Sequence, residues 1–99
     1  MDKKILQFLG LCQRAGRLTS GETGALSAIK DGSSQLVIVA ENASDNTKKK
    51  FKDSAAYYNK KIVIFGDKFD LGRAIGKDER AVISVNDSGF ANKIEEMIG

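Results

Sequence analysis

Apolar positions along the chain keep changing period. Ile5, Phe8, Leu9 and Cys12 fall at i, i+3, i+4 and i+7, which predicts a first helix from Lys3 to about Arg14 packed on one face. Leu6 and Leu11 widen the stripe. Ala15-Gly16 ends it, because glycine tolerates the left-handed backbone that closes a helix. Leu18-Thr19 reads as a brief strand. A second helix runs from Ser20 to about Asp31, with Ala25, Leu26, Ala28 and Ile29 as its buried face and Gly32 as its stop.

The pattern then becomes continuous. Leu36-Val37-Ile38-Val39-Ala40 has no alternation and is mostly β-branched, so it predicts a strand covered on both faces. Ala43 to Tyr58 returns to helical spacing through Phe51, Ala55 and Tyr58, with Ser44 or Asp45 as its cap. Ile62-Val63-Ile64-Phe65 predicts a second buried strand. Asp67 caps a short helix through Leu71 and Ala74 that closes at Gly76. Ala81 to Val85 is a further strand. Asp87-Ser88 caps a last helix whose stripe is Phe90, Ile94, Met97 and Ile98. Alternation of this kind predicts an α/β fold: a three-layer α/β/α sandwich around a small mixed, largely parallel four-stranded sheet.

Composition narrows the chemistry. With 99 residues the chain has room for one domain and a modest core. Sixteen basic against 13 acidic residues leave a net charge of +3, which permits an anionic partner without demanding one. There is no histidine and one cysteine, Cys12, so imidazole catalysis, an internal disulfide and a Cys/His zinc site are excluded. Cys12 lies in the apolar series and reads as a small core residue in a reducing compartment. No stretch approaches the ~20 apolar residues of a membrane span. Met1-Asp2-Lys3-Lys4 leads into an amphipathic helix and not a signal peptide, so a cytoplasmic protein is expected.

Candidate chemistry gathers at one corner. Ser20 reads as the N-cap of the second helix, Glu22 suits the positive end of its dipole, and Gly21 and Gly24 leave the backbone bare. Ser20, Thr23, Ser27 and free first-turn amides offer hydrogen bonds, and Glu22 accepts from amino-bearing base edges. Arg14, Arg17, Lys30, Lys77 and Arg80 are positioned in sequence to neutralise phosphates. The turn from Ile75 through Lys77, Asp78 and Glu79 to Arg80 is the second part of the corner. Glu41 ends a strand at the edge where α/β sheets carry function. The plainer account is an ordinary capped helix and solvated loop charges. The run Lys48-Lys49-Lys50 with Lys52 wraps round its helix, so a solvated surface is the favoured account. Enzyme signals are weak: Gly72-Arg73-Ala74-Ile75-Gly76 lacks the Gly-Lys-Ser/Thr ending of a P-loop, and no G-x-G-x-x-G follows a strand.

Several segments resemble one family. Leu36-Val37-Ile38-Val39-Ala40-Glu41-Asn42 is similar to the "LVVIAED" strand of the archaeal and eukaryotic ribosomal protein seven-Ae family. Leu71-Gly72-Arg73-Ala74-Ile75-Gly76 resembles its "LGxAxG" segment. Leu9 to Leu18 and Asp87 to Lys93 resemble the bacterial YlxQ-type branch. The likeness implies a single kink-turn RNA-binding-like domain over residues 1–99, non-catalytic and without cofactor or metal. It implies RNA as partner, with no membrane partner, and a monomer. In that family the helix start over Gly21 enters the groove beside tandem sheared G·A pairs, and the turn over Ile75–Arg80 covers an extruded bulge nucleotide. The family's Gly-x-Asn-Glu lies over Gly21-Glu22-Thr23-Gly24, so Thr23 and Gly24 replace two guanine-reading side chains, and Ser27 stands where lysine is common. Glu22 agrees with the bacterial branch. These departures favour a second reading, a protein-interaction or regulatory module that has lost strong RNA binding; a third, independent of them, is a small-molecule or nucleotide-binding α/β enzyme.

Overall fold

A computed structural model describes residues 3–99; Met1 and Asp2, read above as the lead-in to the first helix, lie outside the described residues. The chain runs α1 (Lys3–Arg14), β1 (Leu18–Ser20), α2 (Glu22–Lys30), β2 (Leu36–Val39), α3 (Asp45–Tyr57), β3 (Ile62–Ile64), α4 (Lys68–Ala74), β4 (Val82–Val85) and α5 (Ser88–Ile98). Each predicted element is present, with ends shifted by a residue or two. Ser44 caps α3 by accepting from the Thr47 amide at 3.1 Å. Asp67 caps α4 through the amides of Phe69 and Asp70. Asp87 caps α5 through that of Phe90.

The four strands lie in the order β1-β4-β2-β3. Helices α2 and α3 cover one face, and α1, α4 and α5 pack together on the other, which gives the three-layer sandwich. The expectation of a largely parallel sheet is corrected. Only β2 and β3, joined by the α3 crossover, run parallel; β4 is antiparallel to both β1 and β2. Strand–helix alternation fixes the layers but not the slot each strand takes. β4 inserts between β1 and β2, and its direction there is reversed.

The reading of Ile62–Phe65 as a second buried strand is also corrected. β3 is the sheet edge, its residues are partly exposed, and Ile64 is 37% exposed. An uninterrupted apolar run marks a strand without distinguishing centre from edge. The central strands behave as the pattern requires: all residues of β2 and β4 are buried. Phe51, Leu9, Ile5, Ile29, Leu71 and Ile94 close over them from the helices.

Cys12 belongs to this core. Its thiol donates to the Arg17 carbonyl at 3.3 Å, and burial, helped by the nearby Asp87 charge, pushes its pKa up to about 11. One polar chain crosses the sheet. The Ser34 and Ser84 hydroxyls are 2.8 Å apart, Ser84 donates to Asn86 Oδ1 at 2.6 Å, and Asn86 Nδ2 donates to Thr19 Oγ1 at 2.8 Å. Among the described residues, no helix is long and apolar enough to cross a membrane.

Candidate nucleic-acid interface

One end of the sheet builds a cleft of about 500 Å³. β1 finishes there at Ser20 and β4 begins there. The Gly21 amide donates to the Val82 carbonyl at 2.9 Å, and the Ala40 amide donates to the Ala81 carbonyl at 2.8 Å. The cleft is lined by residues 20–24 at the start of α2, by Ala43, Ser44 and Thr47 at the start of α3, by Lys68 at the start of α4, and by residues 79–81. Three helix starts therefore face one space. The amides at the start of α4 are taken by Asp67 and Asn42 and the Thr47 amide of α3 by Ser44, so the open amides facing the cleft are those of α2.

The start of α2 differs from the sequence expectation. Ser20 does not cap the helix; it lies in β1, and its Oγ accepts from Arg80 Nε at 3.2 Å. Gly21 takes the cap position at φ 87°, ψ 160°, a region that a side chain strongly disfavours. No side chain caps α2. The first-turn amides, which have no carbonyl four residues earlier in the helix to bond, are thus left to the cleft.

Glu22 is held in place from α3. Ser44 Oγ donates to Thr47 Oγ1 at 3.0 Å, and Thr47 donates onward to Glu22 Oε2 at 3.1 Å. Lys50 Nζ lies 3.9 Å from the other carboxylate oxygen. Glu22 is therefore an oriented acceptor at the cleft edge. On the opposite wall, Arg80 bridges two elements. Its Nη1 donates to the Glu79 carbonyl at 2.9 Å while Nε holds Ser20. The turn before it passes over Gly72, where a Cβ would lie 1.9 Å from the Asp78 carbonyl oxygen. That glycine is what allows the turn to sit against α4.

The structure brings together Ser20, Gly21, Glu22, Thr23, Glu79 and Arg80 in the cleft. Lys77 and Asp78 line an adjoining depression that shares Glu79 with it, so the two halves of the corner are neighbours. Ile75 is buried at 5% exposure and anchors the turn from beneath. Other candidates stand apart. Arg14 lines a groove between α1 and α4 with Asp70 and Arg73. Glu41 lies beside Asp67 and Asp70 on another side of α4. Arg17 is at the opposite end of β1, where its carbonyl accepts from the Asn86 amide. Ser27 is exposed along α2, and Lys30 is at its far end, about 12 Å from Glu22 at 1.5 Å per residue.

Sequence reasoning missed Ser44, Thr47 and Lys68 as cleft residues. The Ser-x-x-Thr start of α3 was legible as a cap, but its approach to Glu22 depends on how α2 and α3 pack. Gly24 also gains an explanation. A Cβ there would lie 2.6 Å from Thr19 Cγ2, so the close seating of α2 on β1 excludes a larger residue unless Thr19 moves.

The fold and site together define a small α/β/α sandwich with an open, polar cleft at one end of its sheet. The chain belongs to the ribosomal protein L7Ae/L30e/S12e/Gadd45 family, whose model matches residues 3–95. It is 40% identical over 91 residues to the RNA-binding protein YlxQ of Bacillus subtilis, covering 92% of this chain and 91% of that one. It is 38% identical to the RNA-binding protein YlxQ of Enterococcus faecium, covering 97% and 92%. A solved Bacillus halodurans structure of a protein of unknown function superposes with a TM-score of 0.93 at 41% identity, over 98% of each chain.

Proposed function

We propose that this chain is a non-catalytic RNA-binding protein of ribosomal type, one domain acting as a monomer in the cytoplasm, that recognises a kink-turn or a similar sharply bent RNA. The observation that carries the reading is the junction of the uncapped α2 start with the Glu79–Arg80 turn in one cleft. Relatives named as RNA-binding proteins, matched over nearly their whole length, support the same reading.

In this reading the first turn of α2 enters the groove beside the sheared pairs. Its free amides and Thr23 hydrogen-bond to base edges or phosphates, and Glu22, oriented by Thr47, accepts from a guanine amino edge. Lys68 and Arg80 supply positive charge on the opposite wall. A ligand that fits only the bent RNA shifts the RNA population toward that conformer. Arg14, Arg17, Ser27 and Lys30 lie outside the cleft and touch only RNA that extends beyond it.

The test is a binding titration with a kink-turn RNA and with the same RNA lacking its sheared pairs. Wild type should prefer the intact kink-turn, and Glu22→Ala should lose about 1–3 kcal/mol of that preference, the value of a good base contact. Equal affinity for the two RNAs would remove structural readout. It would favour the protein-interaction module, for which the fixed pairing of Glu22 with Thr47 is the structural motive.

A further inference from the structure

Phe69 is the one large ring on α4 that the core does not use. It is 53% exposed and lies outside the hydrophobic cluster and outside the partly buried residues packed on it. Its backbone has a role, since its amide donates to Asp67 Oδ1 at 2.7 Å, but any residue supplies that amide. Packing therefore gives no reason for an aromatic side chain at this position.

The surroundings of the ring are specific. It lines a depression of about 400 Å³ with Arg73, Lys77, Asp78 and Glu79. Glu79 also lines the main cleft, and Lys68, another cleft residue, places Nζ 5.4 Å from the ring centroid. Arg73 is exposed and its pairing with Asp70 at 3.5 Å is a surface contact of little strength. Lys77 is exposed, and its side chain has no hydrogen bond or ion pair among the described residues. The lining holds two cations, Arg73 and Lys77, beside two acidic residues, of which Glu79 lies 3.9 Å from Lys68 Nζ; an apolar ring with unspent cations next to it matches a nucleotide, a flat base with its phosphates.

We propose that Phe69 is a stacking seat for an unpaired base of the bound RNA, with Arg73 and Lys77 holding the phosphates that flank it. The seat is lined by α4 and residues 77–79 and shares only Glu79 with the cleft, so it takes a nucleotide other than the one that enters the cleft. The inference rests on the RNA-binding reading. Stacking is tolerant of base identity, because every base has a flat face, so the seat adds affinity more than sequence preference.

The experiment measures affinity of wild type, Phe69→Ala, Phe69→Leu and Phe69→Tyr for three kinds of RNA. These are a kink-turn RNA, the same RNA without sheared pairs, and a set with one unpaired nucleotide at a time made abasic. Phe69→Ala and Phe69→Leu should bind the kink-turn about 5- to 150-fold more weakly, the range for removal of one base–aromatic stack, with wild-type melting curves. Phe69→Tyr should bind like wild type. One abasic RNA should weaken wild type by a similar factor and leave Phe69→Ala unaffected further, the non-additivity of a direct contact. Wild-type affinity in Phe69→Leu would overturn the seat, as would equal losses for every abasic RNA in wild type and Phe69→Ala. Equal wild-type affinity with and without sheared pairs overturns kink-turn readout alone, because the ring variants still report on stacking. Absence of binding to any of these RNAs overturns both.

Discussion

Gly72→Ala tests how the cleft wall is held. The added Cβ would stand 1.9 Å from the Asp78 carbonyl oxygen, 2.7 Å from its carbon and 3.0 Å from Glu79 Cα. Carbon contacts settle near 3.5–4.0 Å, so the turn must retreat by more than about 1 Å. These are backbone atoms, and no rotamer change relieves them. Two bonds go with the movement: the Lys77 amide to the Gly72 carbonyl and the Arg80 amide to the Lys68 carbonyl, both 2.9 Å. Overpacking costs about 1–3 kcal/mol, and each lost bond adds about 1 kcal/mol. Removing a helical glycine returns about 0.5–1 kcal/mol. The net is a loss of about 2–4.5 kcal/mol, or roughly 10–35 °C in melting temperature for a domain of this size. Thermal and urea unfolding followed by circular dichroism measure it. RNA affinity should fall further than stability requires, because Arg80 loses its hold on Ser20. A Gly72→Ala protein that melts at or above wild type would refute the account, since that is the outcome for an unobstructed helical glycine.

Asp67→Ala should cost about 1–2 kcal/mol in urea unfolding, because Asp67 caps two amides of α4 and accepts from Asn42 Nδ2 at 3.0 Å; an unchanged midpoint would deny the cap. Arg80→Lys keeps the charge but loses the Nε bond to Ser20, so the Arg80 amide should exchange with solvent faster than in wild type, as followed by NMR. Cys12 gives a pH signature. Its native pKa of about 11 lies above the ordinary value of 9.0, so the folded state keeps the proton longer. The associated stability is whole below about pH 9 and is lost as pH rises toward 11, with a slope of up to about 1.4 kcal/mol per pH unit. Cys12→Ala should flatten that alkaline limb, and a native thiol that reacts with Ellman's reagent at pH 8 as fast as in urea would contradict its burial.

The layers of the fold were legible because they depend on periodicity alone. Leu36–Val39 and Val82–Val85 are continuous apolar runs and are buried on both faces. The sheet direction was not legible, because β4 enters between strands distant in sequence. The meeting of the two halves of the candidate site was legible where it depends on local chemistry: Gly21, Glu22 and the 79–80 turn line one cleft. Ser20 misled because a serine before a helix has two uses, and here its hydroxyl serves Arg80 while Gly21 adopts a backbone geometry nearly closed to other residues. Arg17 and Lys30 were grouped with the corner by closeness in sequence, yet a strand and a helix carry them away from it. Thr47 and Phe69 carry no local signal of their place, and only tertiary packing brings one to the cleft and the other to the depression beside it.

The short polar chain from Ser34 through Ser84 and Asn86 to Thr19 also acts as a gauge on the far end of the sheet. β1 has only three residues, too few for its own ladder to fix one alignment against β4. A slip by one position would separate Thr19 from the Asn86 amide, turn the strand's side chains over, and draw Gly21 back from the mouth by about 3.3 Å. Side chains at the opposite end of the sheet thus set where the cleft-lining glycine stands, and a Ser84→Val protein would be expected to keep its core while losing that alignment.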